Sequence, residues 1–363
     1  MDLQKLTKTV QELFDNGKGI LAMDESTQNC NKRFAKLGIK ETEESRRAWR
    51  ELIITTPNLA ECIGGLILYD ETIRQKTALA HNASSARNAL RSDADGHNDA
   101  GGDGVPFIKV ITDVGIILGI KVDEGLKDMD GHPNEKVTKG LDGLAGRLKE
   151  YYDMGARFAK WRAAFTIGSN IPTQDCINEN AKILAEYALV CQEAGIVPIV
   201  EPEVLMDGSH TIEKCQQVTK EVLQTVFKEL TVKGVVFEGM ILKPNMVVPG
   251  LACPAQNSVD EVADATVKLL IEVVPANVAG VAFLSGGQSS ELASAHLSAM
   301  NANYKKRLPW PVTFSYSRAI QYPALEIWQG NDKNIVAAQK SLYHRAKLNQ
   351  AACRGEYNIE MEK

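Results

Sequence analysis

The chain has 363 residues, 44% hydrophobic and 24% charged, the balance of a globular domain rather than a disordered or fibrous one. Its 41 basic and 46 acidic residues leave a net charge of -5, which argues against nucleic acid or a membrane surface as the main partner. No apolar run approaches the roughly 20 residues that a membrane-spanning helix needs.

In chain order, Leu3, Leu6, Val10, Leu13 and Phe14 fall at helical spacing, so the first segment reads as an extra amphipathic helix. It lacks the basic-then-apolar pattern of a secretory signal. The seven cysteines are scattered, odd in number and without a C-x-x-C pair, which fits reduced thiols in a cytoplasmic protein. Gly17-x-Gly19-x-x-Ala22 matches a dinucleotide fingerprint by letter. That motif needs a strand before it and a helix after it, and here the order is reversed.

From residue 19 onward one unit recurs: a short apolar run, one or two polar residues, a loop, then a helical stretch. The runs are 19–23, 63–68, 116–122, 157–161, 196–200, 235–242, 278–284 and 312–314. Several are rich in Ile, Val and Leu without strict alternation, as parallel strands covered on both faces are. The stretch 178–194 repeats Ala181, Leu184, Ala185 and Ala188 at three and four, and Gly195 ends it. Eight such units predict an α/β fold, an eight-stranded parallel α/β (TIM) barrel. We expect one domain over 1–363, with a polar, glycine-rich loop insertion at 77–105 and a C-terminal helical tail ending in 351–363. Asp93, Asp95 and Asp103 lack the glycine and closing glutamate of a calcium loop, and the Asn82 sequon is read as chance.

Such barrels keep their chemistry at the C-terminal strand ends. Those ends read Asp24, Asp70, Lys121, Lys160 with Arg162, Glu201 with Glu203, Lys243, Ser285 and Ser315, a set dense in titratable groups. Lys243 closes an apolar stretch before a proline. A neighbouring cation such as Lys160, together with desolvation, favours the neutral amine that attacks a ketone to form an iminium. Strand alternation puts Glu201 and Glu203 on one face, and Lys160 and Arg162 likewise. One of the two carboxylates is expected to be ion-paired and the other to transfer protons, although the same groups also read as a structural salt-bridge network. For Asp24, spacing alone favours a helix cap over a carboxylate facing substrate.

Ser285-Gly286-Gly287-Gln288 follows an apolar strand and opens a helical stretch, which suits an anion, and Arg318 lies in the loop after the eighth run. A second anion grip reads from Ser26, Lys32, Arg33 and Lys121. Two grips around one nucleophile imply a bisphosphorylated substrate. The six histidines are dispersed and show no metal spacing, so no metal and no cofactor are expected.

At these residues the sequence resembles the class I fructose-bisphosphate aldolases. The motifs GILAMDEST, CIGG, GIKVDEG, GLDGL, FAKWR, GIVPIVEPE, ILKPNMVVPG, FLSGGQ and TFSYSRA run in family order over roughly 13–355. The resemblance implies that Lys243 is the Schiff-base lysine and that Asp24 and Glu201, with Glu203 beside them, transfer protons. It implies that Lys160 and Arg162 assist at the substrate. Ser285, Gly286 and Arg318 would hold the dihydroxyacetone-side phosphate, and Ser26, Lys32, Arg33 and Lys121 the other. It therefore reverses the cap preference for Asp24. It further implies a glycolytic, cytoplasmic homotetramer that acts on phosphorylated sugars, with actin or cytoskeletal binding as a further property. Sedoheptulose 1,7-bisphosphate is the alternative substrate within the class, and a filament-binding scaffold the alternative outside it. Two features depart from the family. The chain ends Asn358-Ile359-Glu360-Met361-Glu362-Lys363 without the terminal tyrosine of many members, leaving Tyr357 as the nearest candidate, and the loop 77–105 is longer than usual.

Overall fold

The computed structural model describes residues 2–78 and 104–363. Most of the loop expected at 77–105 lies outside the described residues, with its aspartates and its sequon. Eight parallel strands close into a barrel in the order β1, β10, β9, β8, β7, β6, β3, β2. They are β1 Gly19–Met23, β2 Ile63–Leu68, β3 Ile117–Lys121, β6 Phe158–Phe165, β7 Val197–Val204, β8 Ile241–Leu242, β9 Gly280–Phe283 and β10 Val312–Tyr316. Two further strands, β4 Leu126–Met129 and β5 His132–Thr138, form an antiparallel hairpin beside it.

Every residue of β1, β2, β7, β9 and β10 is buried, as expected when helices cover the outside and side chains fill the inside. The eight-unit pattern is therefore present, with differences in extent: β6 and β7 run on to Phe165 and Val204, beyond the expected 161 and 200. The run 235–242 forms a strand only at Ile241–Leu242, because Phe237–Gly239 turns into a 3-10 helix. Gly239 packs closely against Leu6 and Gln192 there, and the Gln192 amide bonds both the N–H and the C=O of Val236.

The N-terminal helix α1, Leu3–Phe14, closes the bottom of the barrel. Its buried residues Leu6, Val10 and Leu13 join Ile20, Ile67, Phe158, Val197, Ile199, Ile241 and Ala282 in one apolar cluster. Burying each such aliphatic side chain contributes about 1.5–3 kcal/mol. Glycines make the fit. A Cβ at Gly64 or Gly65 would overlap Leu13, and one at Gly119 would overlap the Phe158 ring. With its lower end filled, the barrel has its open cavity at the opposite, C-terminal end of the strands.

Candidate active site

A cavity of about 1500 Å³ opens at the C-terminal ends of the barrel strands. Its lining draws on β1, β3, β6, β7 and β10 and on the segments after β1, β2, β3, β8, β9 and β10. Lys160 and Arg162 lie inside β6, and Glu201 and Glu203 inside β7, two residues apart in each strand, so all four turn to the same side and line the cavity.

At the base, Lys243 is 4% exposed, as are Lys160 and Glu201. Lys243 Nζ lies 3.1 Å from Glu201 Oε1. Lys160 Nζ lies 2.8 Å from Asp24 Oδ2, 3.5 Å from Glu201 Oε2 and 3.6 Å from Asp123 Oδ2. Burial alone would push the Lys160 ammonium down, but the charges of Asp24, Glu201 and Asp123 outweigh it and hold the group well above the ordinary lysine range. Burial likewise acts to raise Asp24, yet Lys160, Lys243 and Lys121 bring it down to about 2. Arg162 pairs with Glu203, and this charge offsets its own burial to keep it firmly protonated. Both carboxylates are ion-paired, not one as expected: Glu203 is tied to Arg162, and Glu201 sits between Lys243 and Lys160.

Asp24 is not a helix cap. The N-cap of helix α2, Thr27–Lys36, is Ser26, whose hydroxyl accepts from Asn29 N–H, so Asp24 is left to face the cavity beside Lys160. Asp123 is a residue the sequence reading passed over. It is 7% exposed, ion-paired with Lys121 at 2.7 Å, and its Oδ2 has no hydrogen-bond partner among the described residues. It stands two residues after Lys121, so the alternation that grouped Glu201 with Glu203 could have found it.

Ser285, Gly286 and Arg318 line one side of the cavity. Gly286 and Gly287 have φ of +60 and +102, conformations that side chains rarely adopt, so this turn needs glycine. Among the described residues, the N–H groups of Gly286 and Gly287 donate to no backbone carbonyl, which leaves them free for an anion. Two local details differ from expectation. The helix after this turn starts at Ser290 with Ser289 as its cap, so Ser285–Gln288 forms a loop ahead of the helix rather than its first turn. Arg318 begins the helix Arg318–Trp328 instead of lying in a loop.

Ser26, Arg33 and Lys121 line the other side. Lys32 does not join them. It is exposed on α2, one residue round the helix from Arg33, and Lys36 lines the cavity on the turn after Arg33. Arg33 is held by Glu25 at 2.5 Å and by the Ser317 hydroxyl at 3.3 Å, and Ser317 itself donates to Glu25 at 2.6 Å. Tyr357 is also away from the cavity. It is 9% exposed, and its hydroxyl donates to Glu362, which is bonded in turn to Arg345. This arrangement can cleave a carbon–carbon bond. It joins a sheltered lysine, carboxylates within reach of it, and polar and basic groups suited to anions on two sides.

The family model described as "Glycolytic: Fructose-bisphosphate aldolase class-I" matches residues 5–90 and 97–363. The protein named "Probable fructose-bisphosphate aldolase class 1" from Xanthomonas campestris pv. campestris is 49% identical over 98% of this chain and 99% of its own length. "Fructose-bisphosphate aldolase 4, cytosolic" from Arabidopsis thaliana is 46% identical over 94% of this chain and 80% of its own. Among solved structures, the fructose-bisphosphate aldolase of Plasmodium falciparum, in complex with TRAP and a small-molecule inhibitor, superposes with a TM-score of 0.88. It shares 44% identity and covers 98% of this chain and 96% of its own.

Proposed function

The chain belongs to the class I fructose-bisphosphate aldolase family, and on that premise we propose Lys243 as its Schiff-base residue, with Glu201 and Asp24 as its proton-handling partners. The family reaction is the reversible aldol cleavage of fructose 1,6-bisphosphate to dihydroxyacetone phosphate and glyceraldehyde 3-phosphate through a lysine Schiff base, in glycolysis and gluconeogenesis.

The observation that carries the assignment is Lys243 Nζ, almost fully buried and 3.1 Å from Glu201 Oε1. In the direction of cleavage, the amine attacks the C2 ketone. Glu201 takes a proton from nitrogen and returns one to the carbinolamine oxygen, which leaves as water. The protonated iminium then draws electrons out of the C3–C4 bond. Asp24, anionic at neutral pH, accepts the hydrogen bond of the C4 hydroxyl and takes its proton as the C3–C4 bond breaks and the aldehyde forms. Lys160 is the counter-ion of both carboxylates before they take up protons. The enamine is protonated on carbon and hydrolysed from Lys243 to give dihydroxyacetone phosphate. Ser285, Gly286 and Arg318 hold the C1 phosphate, and Ser26, Arg33 and Lys121 the C6 phosphate. Arg162, with Glu203 against it, aids binding between them.

The test is borohydride reduction in the presence of dihydroxyacetone phosphate, followed by peptide mass spectrometry. A reduced adduct on Lys243, absent from Lys243→Met, is the expected result. An unmodified Lys243 in the folded enzyme would overturn the assignment.

The same reading takes the chain as one barrel domain, working in the cytoplasm as a homotetramer with a further capacity for actin. The family resemblance supports these points, and the cytosolic plant relative supports the location. Sedimentation and actin co-pelleting test them, and steady-state rates on fructose and sedoheptulose bisphosphates test which sugar is preferred.

A further inference from the structure

Behind the Ser285–Gln288 turn lies a histidine that the reaction does not use. His296 is 2% exposed, on the helix Ser290–Tyr304. Its Nδ1 lies 2.6 Å from Gln288 Oε1, while Nε2 has no hydrogen-bond partner among the described residues. The other end of the Gln288 side chain, Nε2, lies 3.1 Å from the Ser285 carbonyl oxygen and 3.6 Å from Met246 Sδ. The Ser285 carbonyl also accepts from Gln288 N–H at 3.0 Å.

These contacts allow only one arrangement of protons. A carbonyl oxygen and a thioether only accept, so the Gln288 NH2 must face them and its oxygen must face His296. The imidazole must then carry its proton on Nδ1. Flipping the amide, or moving the proton to Nε2, sets two acceptors against each other in a buried site, at a cost comparable to a lost hydrogen bond. Desolvation pushes the His296 ring down to about 4, so it is neutral with one proton at working pH. The proton orders the amide, the amide pins the Ser285 carbonyl, and that carbonyl opens the turn that contains Gly286 and Gly287.

We infer that His296 is a positioning residue for the C1 phosphate: through Gln288 it holds the Ser285–Gly287 turn in its anion-binding shape. The inference rests on the proposed phosphate role of that turn. It predicts a defect confined to ligands that carry the phosphate. His296→Phe keeps the ring and removes the donor. His296→Asn sets an amide NH2 where Nδ1–H was.

The probes are dihydroxyacetone phosphate and phosphate-free dihydroxyacetone, each titrated against borohydride trapping at Lys243, with inorganic phosphate as a competitor. For His296→Phe the half-saturating concentration of the phosphorylated ketone is expected to rise roughly threefold to tenfold, the loss of one hydrogen bond. Inhibition by phosphate weakens equally, and the curve for dihydroxyacetone does not move. His296→Asn restores the unmodified values. Should His296→Phe fail to fold, Gln288→Met breaks the same link and is expected to show the same selectivity. Equal shifts for both ketones, no shift for either, or failure of the Asn rescue would overturn the inference. Absence of any adduct in the unmodified enzyme would instead overturn the Schiff-base assignment.

Discussion

Lys160 and Lys243 share one carboxylate: Glu201 Oε1 lies 3.1 Å from Lys243 Nζ, and its Oε2 lies 3.5 Å from Lys160 Nζ. The two ammonium groups are not equivalent. Lys160 also faces Asp24 and Asp123, and these charges overcome its burial and keep it protonated. Among the described residues Lys243 is ion-paired with Glu201, so in the proposed mechanism Glu201 is the group that exchanges a proton with the Lys243 nitrogen. In the proposed mechanism Lys160 is the fixed cation and Lys243 the nucleophile, and the carboxylate between them feels both.

Replacing the fixed cation should therefore damage chemistry and stability together. In Lys160→Met, Asp24, Asp123 and Glu201 lose their common counter-charge in a nearly dry site. Breaking a buried pair by removing one partner costs about 3–5 kcal/mol. Turnover should fall roughly 10²–10⁴-fold, the range of a general acid–base contribution. Urea unfolding and steady-state kinetics on fructose 1,6-bisphosphate measure the two effects. A variant with near-normal turnover would show that the proton-transfer carboxylates do not need Lys160.

Asp24 gives a pH signature. Its folded-state value, about 2, lies below the ordinary aspartate value of 3.8, so the folded protein binds the proton less readily than the unfolded chain. The resulting stability is present above about pH 4 and is lost as pH falls towards 2. The shift corresponds to about 2 kcal/mol at neutral pH. Asp24→Asn removes this dependence. The difference in urea midpoint between the unmodified chain and Asp24→Asn should therefore narrow between pH 4 and pH 2.

The barrel was legible from sequence because parallel strands buried on both faces must be apolar throughout. The runs 19–23 and 63–68 coincide with β1 and β2 to the residue. The ends of β6 and β7 were less clear, since Arg162, Glu201 and Glu203 break the apolar run while remaining in the strand. A polar residue facing a functional cavity looks, in sequence, like the start of a loop. The hairpin β4–β5 escaped for the opposite reason. Much of it is exposed, so it shows no apolar period; its signal was the Asp130-Gly131 pair between its strands. Lys32 and Arg33 show the limit of adjacency. Neighbours on a helix diverge, so a basic pair supplies one residue to a cavity and sends the other to solvent.

The two anion grips are separable by substrate. Arg318→Ala should raise KM for both fructose 1,6-bisphosphate and fructose 1-phosphate, which share the C1 phosphate. Arg33→Ala should weaken only the bisphosphate. A charge-assisted hydrogen bond contributes about 1.5–3 kcal/mol, so each loss should be roughly 10–100-fold in kcat/KM. Kinetics of both variants on both sugars give four values. Equal losses for Arg33→Ala on the two sugars would remove it from the C6 side.

The closed end of the barrel carries the last expectation. Leu13 is fully buried and packs against the backbone of Gly64 and Gly65, where no other residue would leave it room. Leu13→Ala opens a void among Phe158, Ile67 and their neighbours. Those residues belong to a closed ring of strands and cannot collapse inward freely. The cost should be about 2–5 kcal/mol. The cavity that holds Lys243 lies at the other end of the strands, and none of the α1 residues lines it. Leu13→Ala should therefore lower the urea midpoint while KM and kcat at 25 °C stay within twofold. A matching fall in kcat would mean that the plug sets the geometry at the strand ends as well as the stability of the barrel.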